Sequence, residues 1–143
     1  MPIAAALALD VVLTVVFATI GRASHAEGIT ASGVVHTAWP FLVGLLVGWA
    51  LAAALTARRR TGASGGWARS MTAGVPIWLC TVAVGMVLRR LAGEGTALAF
   101  VIVATITLGV LLLGWRAVVL LTARRRAARA DSPEPAAGRA PAA

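Results

Sequence analysis

The chain reads as an all-α, polytopic membrane protein with four transmembrane helices, and three observations predict it. Hydrophobic side chains make up 59% of the 143 residues. With the 15 glycines the apolar share is about 70%, against roughly 45 to 50% for a soluble domain counted the same way. Only 13% of residues are charged, and they stand in clusters between long uncharged runs, so the excess is arranged as spans rather than as one larger core. The runs also lack the alternating pattern of short strands that a transmembrane barrel requires. An ordinary water-soluble fold is excluded, and the length leaves room for one domain.

The apolar runs fall at about residues 3–20, 41–57, 72–88 and 97–121. At 1.5 Å per residue the first three reach about 25 to 27 Å, enough for a thin bilayer with little tilt, and the fourth is long enough to tilt or project. Asp10 is the one charge in the first run, which closes before Arg22. The second opens at Trp39-Pro40-Phe41, where Pro40 suits the first helical turn because its missing N–H costs nothing there. Its Gly44 and Gly48 form a G-x-x-x-G spacing that lets a neighbouring backbone approach, within the bundle or between protomers. Residues 62–66 (GASGG) read as a flexible link. Residues 1–123 are taken as the transmembrane domain and 124–143 as a basic, Pro/Ala-rich tail that has nothing bulky and apolar to bury and is expected to be disordered.

With an even number of spans the two termini share a side with the segment between the second and third helices. That side carries Arg58, Arg59, Arg60 and Arg69, then Arg124, Arg125, Arg126, Arg129 and Arg139, whereas the opposite loops carry Arg22, Arg89 and Arg90. The excess of basic residues places both termini in the cytoplasm of a cell membrane. Orientation thus accounts for the net charge of +8, and no nucleic-acid signature accompanies it. A cleaved signal peptide over residues 1–26, ending near Ser24-His25-Ala26, is the competing reading. It lacks a basic leading segment, and Asp10 would interrupt its apolar stretch. Cys80 is the one cysteine, so no intrachain disulfide is possible.

Two stretches resemble each other. Residues 47–60 (VGWALAAALTARRR) and 113–126 (LGWRAVVLLTARRR) share eight of fourteen residues, and Arg22 to Gly28 shares R-x-x-x-x-E-G with Arg89 to Gly95. Duplication of a helical hairpin explains this, with the halves related by an axis along the membrane normal. So does the abundance of Ala, Leu and Arg, combined with the demand for basic helix ends.

Asp10 is the residue least explained by architecture. A carboxylate in a span costs roughly 2.5 to 3.5 kcal/mol on insertion scales, so it is expected to face the bundle interior, paired or protonated. Arg116 lies at matching depth, as do Trp49, Trp78 and Trp115, and an intramembrane polar layer of these five residues is geometrically allowed. Arg116 has a second reading as an interfacial anchor that snorkels to the headgroups. A second cluster gathers on the opposite side. Arg22, His25, Glu27 and His36 belong to the long first loop, and Arg89, Arg90 and Glu94 to the short third loop. Arg22 with Glu27, and Arg89 or Arg90 with Glu94, are expected as ion pairs that brace each hairpin. The spacing of His25, Glu27 and His36 matches no structural zinc motif, neither histidine is placed in a helix for haem, and no metal or cofactor is expected. Catalytic motifs are absent.

Gly21-Arg22 with Ser24-His25, Trp39-Pro40-Phe41, Gly85-Met86-Val87-Leu88-Arg89, Gly95-Thr96-Ala97 with Phe100, and Gly114-Trp115-Arg116 resemble a family of small four-helix bacterial membrane proteins, domain of unknown function 3054. The resemblance runs from about Ala8 to Arg116 and implies a multi-pass membrane protein, with no activity to carry over. The leading functional expectation is a small oligomeric transporter or channel for a small solute or protons. The alternative is a structural or assembly protein, and an intramembrane enzyme stands third. The expected partners are the lipid bilayer, a second copy of the chain and an unidentified small ligand.

Overall fold

The computed structural model describes residues 2–23, 29–58 and 66–130. Four helices follow one another: α1 (Ile3–Ala23), α2 (Ala31–Arg58), α3 (Met71–Leu91) and α4 (Leu98–Ala130), with a short 3-10 turn at Trp67–Arg69 ahead of α3. Each is long and apolar enough to cross a membrane. At 1.5 Å per residue α1 and α3 span about 31 Å, one hydrocarbon core, while α2 and α4 reach about 42 and 50 Å. The helices pack in a ring, α1 against α2 and α4, and α3 against α2 and α4. One end, the terminal end, gathers the start of α1, the end of α4 and the α2–α3 connection. The opposite end gathers the end of α1, the start of α2 and the α3–α4 connection.

The boundaries differ from the sequence reading in two places, each for a local reason. α2 begins at Ala31, about ten residues early, because the Thr30 hydroxyl accepts the Gly33 N–H at 3.2 Å and starts the helix there. Pro40 therefore sits buried inside α2, not in its first turn, and His36 is a helical residue, not a loop residue. α4 runs through Ala130, so Arg124, Arg125, Arg126 and Arg129 extend it as an exposed helical overhang where a tail without structure was expected from residue 124. Arginine and alanine favour the helix, and no glycine or proline stands in residues 115–130 to stop it. Residues 131–143 lie outside the described residues, as do His25 and Glu27 and most of the 62–66 link.

The α2–α3 seam is the tightest in the bundle. A Cβ on Gly44 would stand 2.8 Å from the Thr81 carbonyl oxygen, and one on Gly48 would stand 2.8 Å from the Ile77 Cα. The G-x-x-x-G spacing therefore serves packing within one chain. Ser70 caps α3, its hydroxyl accepting the Ala73 N–H at 3.2 Å. At its other end, Gly93 at φ +77 lets the Glu94 N–H return to the Arg89 carbonyl at 2.9 Å and its own N–H reach Arg90. This is the left-handed cap glycine provides. It also sets Glu94 beside Arg89.

Candidate functional site

Two polar sites lie at different depths. Towards the terminal end, Asp10 and Arg116 meet with no solvent exposure at all. Arg116 Nη1 donates to Asp10 Oδ1 at 2.9 Å and Nη2 to Oδ2 at 2.7 Å, a bidentate pair. The indole of Trp49 donates to Oδ2 at 3.0 Å and that of Trp115 to Oδ1 at 2.9 Å. Each carboxylate oxygen thus accepts two charge-assisted or indole hydrogen bonds, the full capacity of an ionised carboxylate. Arg116 makes two further bonds to main-chain carbonyls: Nε donates to Ala68 at 3.2 Å, and Nη1 also reaches Leu112 at 2.6 Å.

All four helices and a connection build this node. α1 supplies Asp10, whose helix turns Ala6, Asp10, Thr14 and Phe17 inward at helical spacing. α2 and α4 supply Trp49 and Trp115, the two tryptophans at equivalent positions of the internal sequence match, so the resembling stretches converge on one carboxylate. The residue after the tryptophan differs: exposed Ala50 in the first copy, buried Arg116 in the second. α3 leaves room for the guanidinium at Gly74, where a Cβ would stand 2.7 Å from Arg116 Cδ. The turn before α3 folds inward, with Ala68 fully buried and the Trp67 ring against Trp49 at 5.6 Å, edge to face.

Trp78 does not join this node. The interior stripe of α3 runs Ala73, Gly74, Ile77, Thr81 and Gly85. One position further round, Trp78 points into the α3–α4 seam, where its indole donates to the Thr105 carbonyl at 3.0 Å and lies against Gly109. Trp67, Ala68 and Gly74 have no charged or periodic signal that marks them as node residues in the sequence. The one cue is that Trp67 and Ser70 interrupt a polar link with a ring and a helix cap.

The opposite end is open. A cavity of about 480 Å³ is lined by Phe17, Arg22, His36, Arg89, Glu94 and Phe100, with Thr37 and small residues between them. Arg89 pairs with Glu94 through Nη1 and lies over the Phe100 ring at 4.5 Å. His36 Nδ1 stands 3.2 Å from Glu94 Oε1, and Arg22 Nη1 donates to the Thr37 hydroxyl at 3.3 Å. Arg89 Nε and Glu94 Oε1 are buried without a hydrogen bond. Of the two arginines proposed for Glu94, Arg89 takes it and Arg90 is exposed. Whether Arg22 meets Glu27 falls outside the described residues. Among the described residues no three His, Cys, Asp or Glu side chains gather closely enough to hold a metal ion.

Four apolar helices around a buried charge pair define a multi-pass membrane protein. The chain belongs to the family described as protein of unknown function, DUF3054, whose model matches residues 7–119. That span holds both sites. No curated protein and no solved structure matches the chain.

Proposed function

We propose that the protein is a transporter or channel-like protein for a small solute, set in the cytoplasmic membrane with both termini inside and acting as a dimer or larger assembly. The observation that carries this reading is the asymmetry of the bundle: a cavity at one end and a hydrogen-bonded plug at the other. Phe17 in the cavity wall and Asp10 in the plug are seven residues apart on α1, about 10 Å. A carrier halted with its outer side open has this form. Transport of protons through Asp10 is the weaker version, because a relay needs a carboxylate with an acceptor position to spare, and here all four are filled.

A structural role is supported by that same completeness, since a buried carboxylate with every acceptor position filled also fixes helix packing. Side-specific labelling separates the two. In liposomes, on a Cys80→Ala background, Thr37→Cys is expected to react with a membrane-impermeant thiol reagent from the outside. Ala68→Cys is expected to react from the inside only when the plug opens, more often in Asp10→Asn. A plug that stays unreactive, together with no solute flux above protein-free liposomes, would leave the structural role standing and remove the transport one.

A further inference from the structure

We infer that the terminal end of the bundle carries a binding collar for anionic phospholipid headgroups, made by Arg124, Arg125, Arg126 and Arg129 on the overhang of α4 together with Arg58 at the end of α2. The collar is independent of what the cavity at the other end holds.

The buried node sets the level. Trp49 and Trp115 donate to the same carboxylate, so α2 and α4 are in step there. Arg58 and Arg124 each stand nine residues further on, about 13 Å nearer the terminal end. Asp10 meets Arg116 at that same depth, and α1 starts only seven residues before Asp10, so α4 stands clear of α1 from about Arg124 onward. Leu120 and Leu121 close the apolar run, and the next three arginines lie about 4 to 8 Å past them, within a headgroup layer of roughly 5 to 8 Å. All four overhang arginines are exposed, and none makes an ion pair among the described residues. At about 100° per residue Arg124, Arg125 and Arg126 point in three directions, and Arg129 falls between the last two. Arg129 therefore has like charges three and four residues before it, a spacing that costs helix stability until an anion joins them. Asp131 and Glu134 follow, yet residues 124–143 still hold five arginines against two acids. Charges spread around a protruding helix at one level face a ring of headgroups, and clusters of this size beside a span read anionic lipid. A single-stranded nucleic acid needs rings for its bases to stack on, and residues 117–130 have none. The small cavity at this end has no charged group among its described lining residues, so the arginines present a surface rather than a pocket. The arginine fork matches phosphate in geometry as well as charge.

The test is hydrogen–deuterium exchange of the full chain in nanodiscs of phosphatidylcholine and of an equal mixture of phosphatidylcholine and phosphatidylglycerol. Each arginine near an anionic surface adds about fivefold in affinity. Backbone amides of residues 122–130 are therefore expected to exchange at least about tenfold more slowly with phosphatidylglycerol present, while those of residues 31–36, at the opposite end, stay unchanged. Salt at about 1 M, which shortens the Debye length to about 3 Å, is expected to erase the difference. Arg125→Gln, Arg126→Gln and Arg129→Gln together are expected to erase it too, and the three corresponding lysine replacements to keep most of it. Tryptophan emission as in the parent shows the bundle intact in both variants; if the glutamine variant does not fold, the salt comparison on the unaltered chain decides. The inference falls if both discs give the same exchange, if the difference survives salt or the folded glutamine variant, or if residues 31–36 gain as much protection as the overhang. It falls also if a single-stranded RNA oligonucleotide slows exchange of the overhang in phosphatidylcholine discs and phosphatidylglycerol does not, since the arginines then read a nucleic acid.

Discussion

The two ends of the bundle use the same three ingredients, an arginine, a carboxylate and aromatic rings, with different results. Asp10 and Arg116 lie 106 positions apart in the chain and are brought together by helix packing, which fills all four acceptor positions of the carboxylate and gives every guanidinium nitrogen an acceptor. Arg89 and Glu94 are neighbours across one turn, and the turn satisfies the backbone while leaving a buried Nε and Oε1 without hydrogen bonds. Long-range packing closes the first site. Local geometry leaves the second with 12% and 16% of its side chains exposed beside a cavity. In this bundle, completeness of hydrogen bonding is what separates a lock from a receptive surface.

That contrast is tested hardest at Arg116. Arg116→Ala strands a buried carboxylate and is expected to cost about 3–5 kcal/mol, seen as a collapse in folded yield and a lower unfolding midpoint in detergent; a loss below about 1 kcal/mol would mean the node locks nothing. Trp49→Phe keeps an aromatic side chain but removes one donor to a charged oxygen, so a cost of about 1.5–3 kcal/mol is expected by the same measurement. Gly93→Ala acts on the open end, forcing a side chain into φ +77. Its expected cost is about 1–2 kcal/mol, read from the same unfolding midpoint. Smallest is Glu94→Gln, expected to change stability by less than about 1 kcal/mol. If it proved as damaging as Arg116→Ala, the two ends would be equivalent and the comparison would fail.

The helix content is legible because each span is an apolar run with at most one charge inside it and arginines at its end, a pattern set by the cost of burying charge. The starts of α2 and the end of α4 were not, since a single hydroxyl at Thr30 and helix-favouring residues after Arg124 decide them without any change in apolar character. Asp10 and Arg116 stood out as charges inside spans. Trp78 was read into their layer from depth alone. Depth fixes position along the axis but not rotation about it, and one residue of rotation sends its indole to Thr105. Gly74 and Ala68 left no trace in the sequence, because what they contribute is space and a main-chain carbonyl.

The plug also makes the protein its own optical reporter. The chain has five tryptophans and no tyrosine, so its near-ultraviolet emission comes from indole alone. Two of those indoles donate to the Asp10 carboxylate, and a third, Trp67, lies edge-on to one of them. Any event that parts Asp10 from Arg116, whether solute, lipid or substitution, changes the field at these rings and is readable as a shift in emission without an added label.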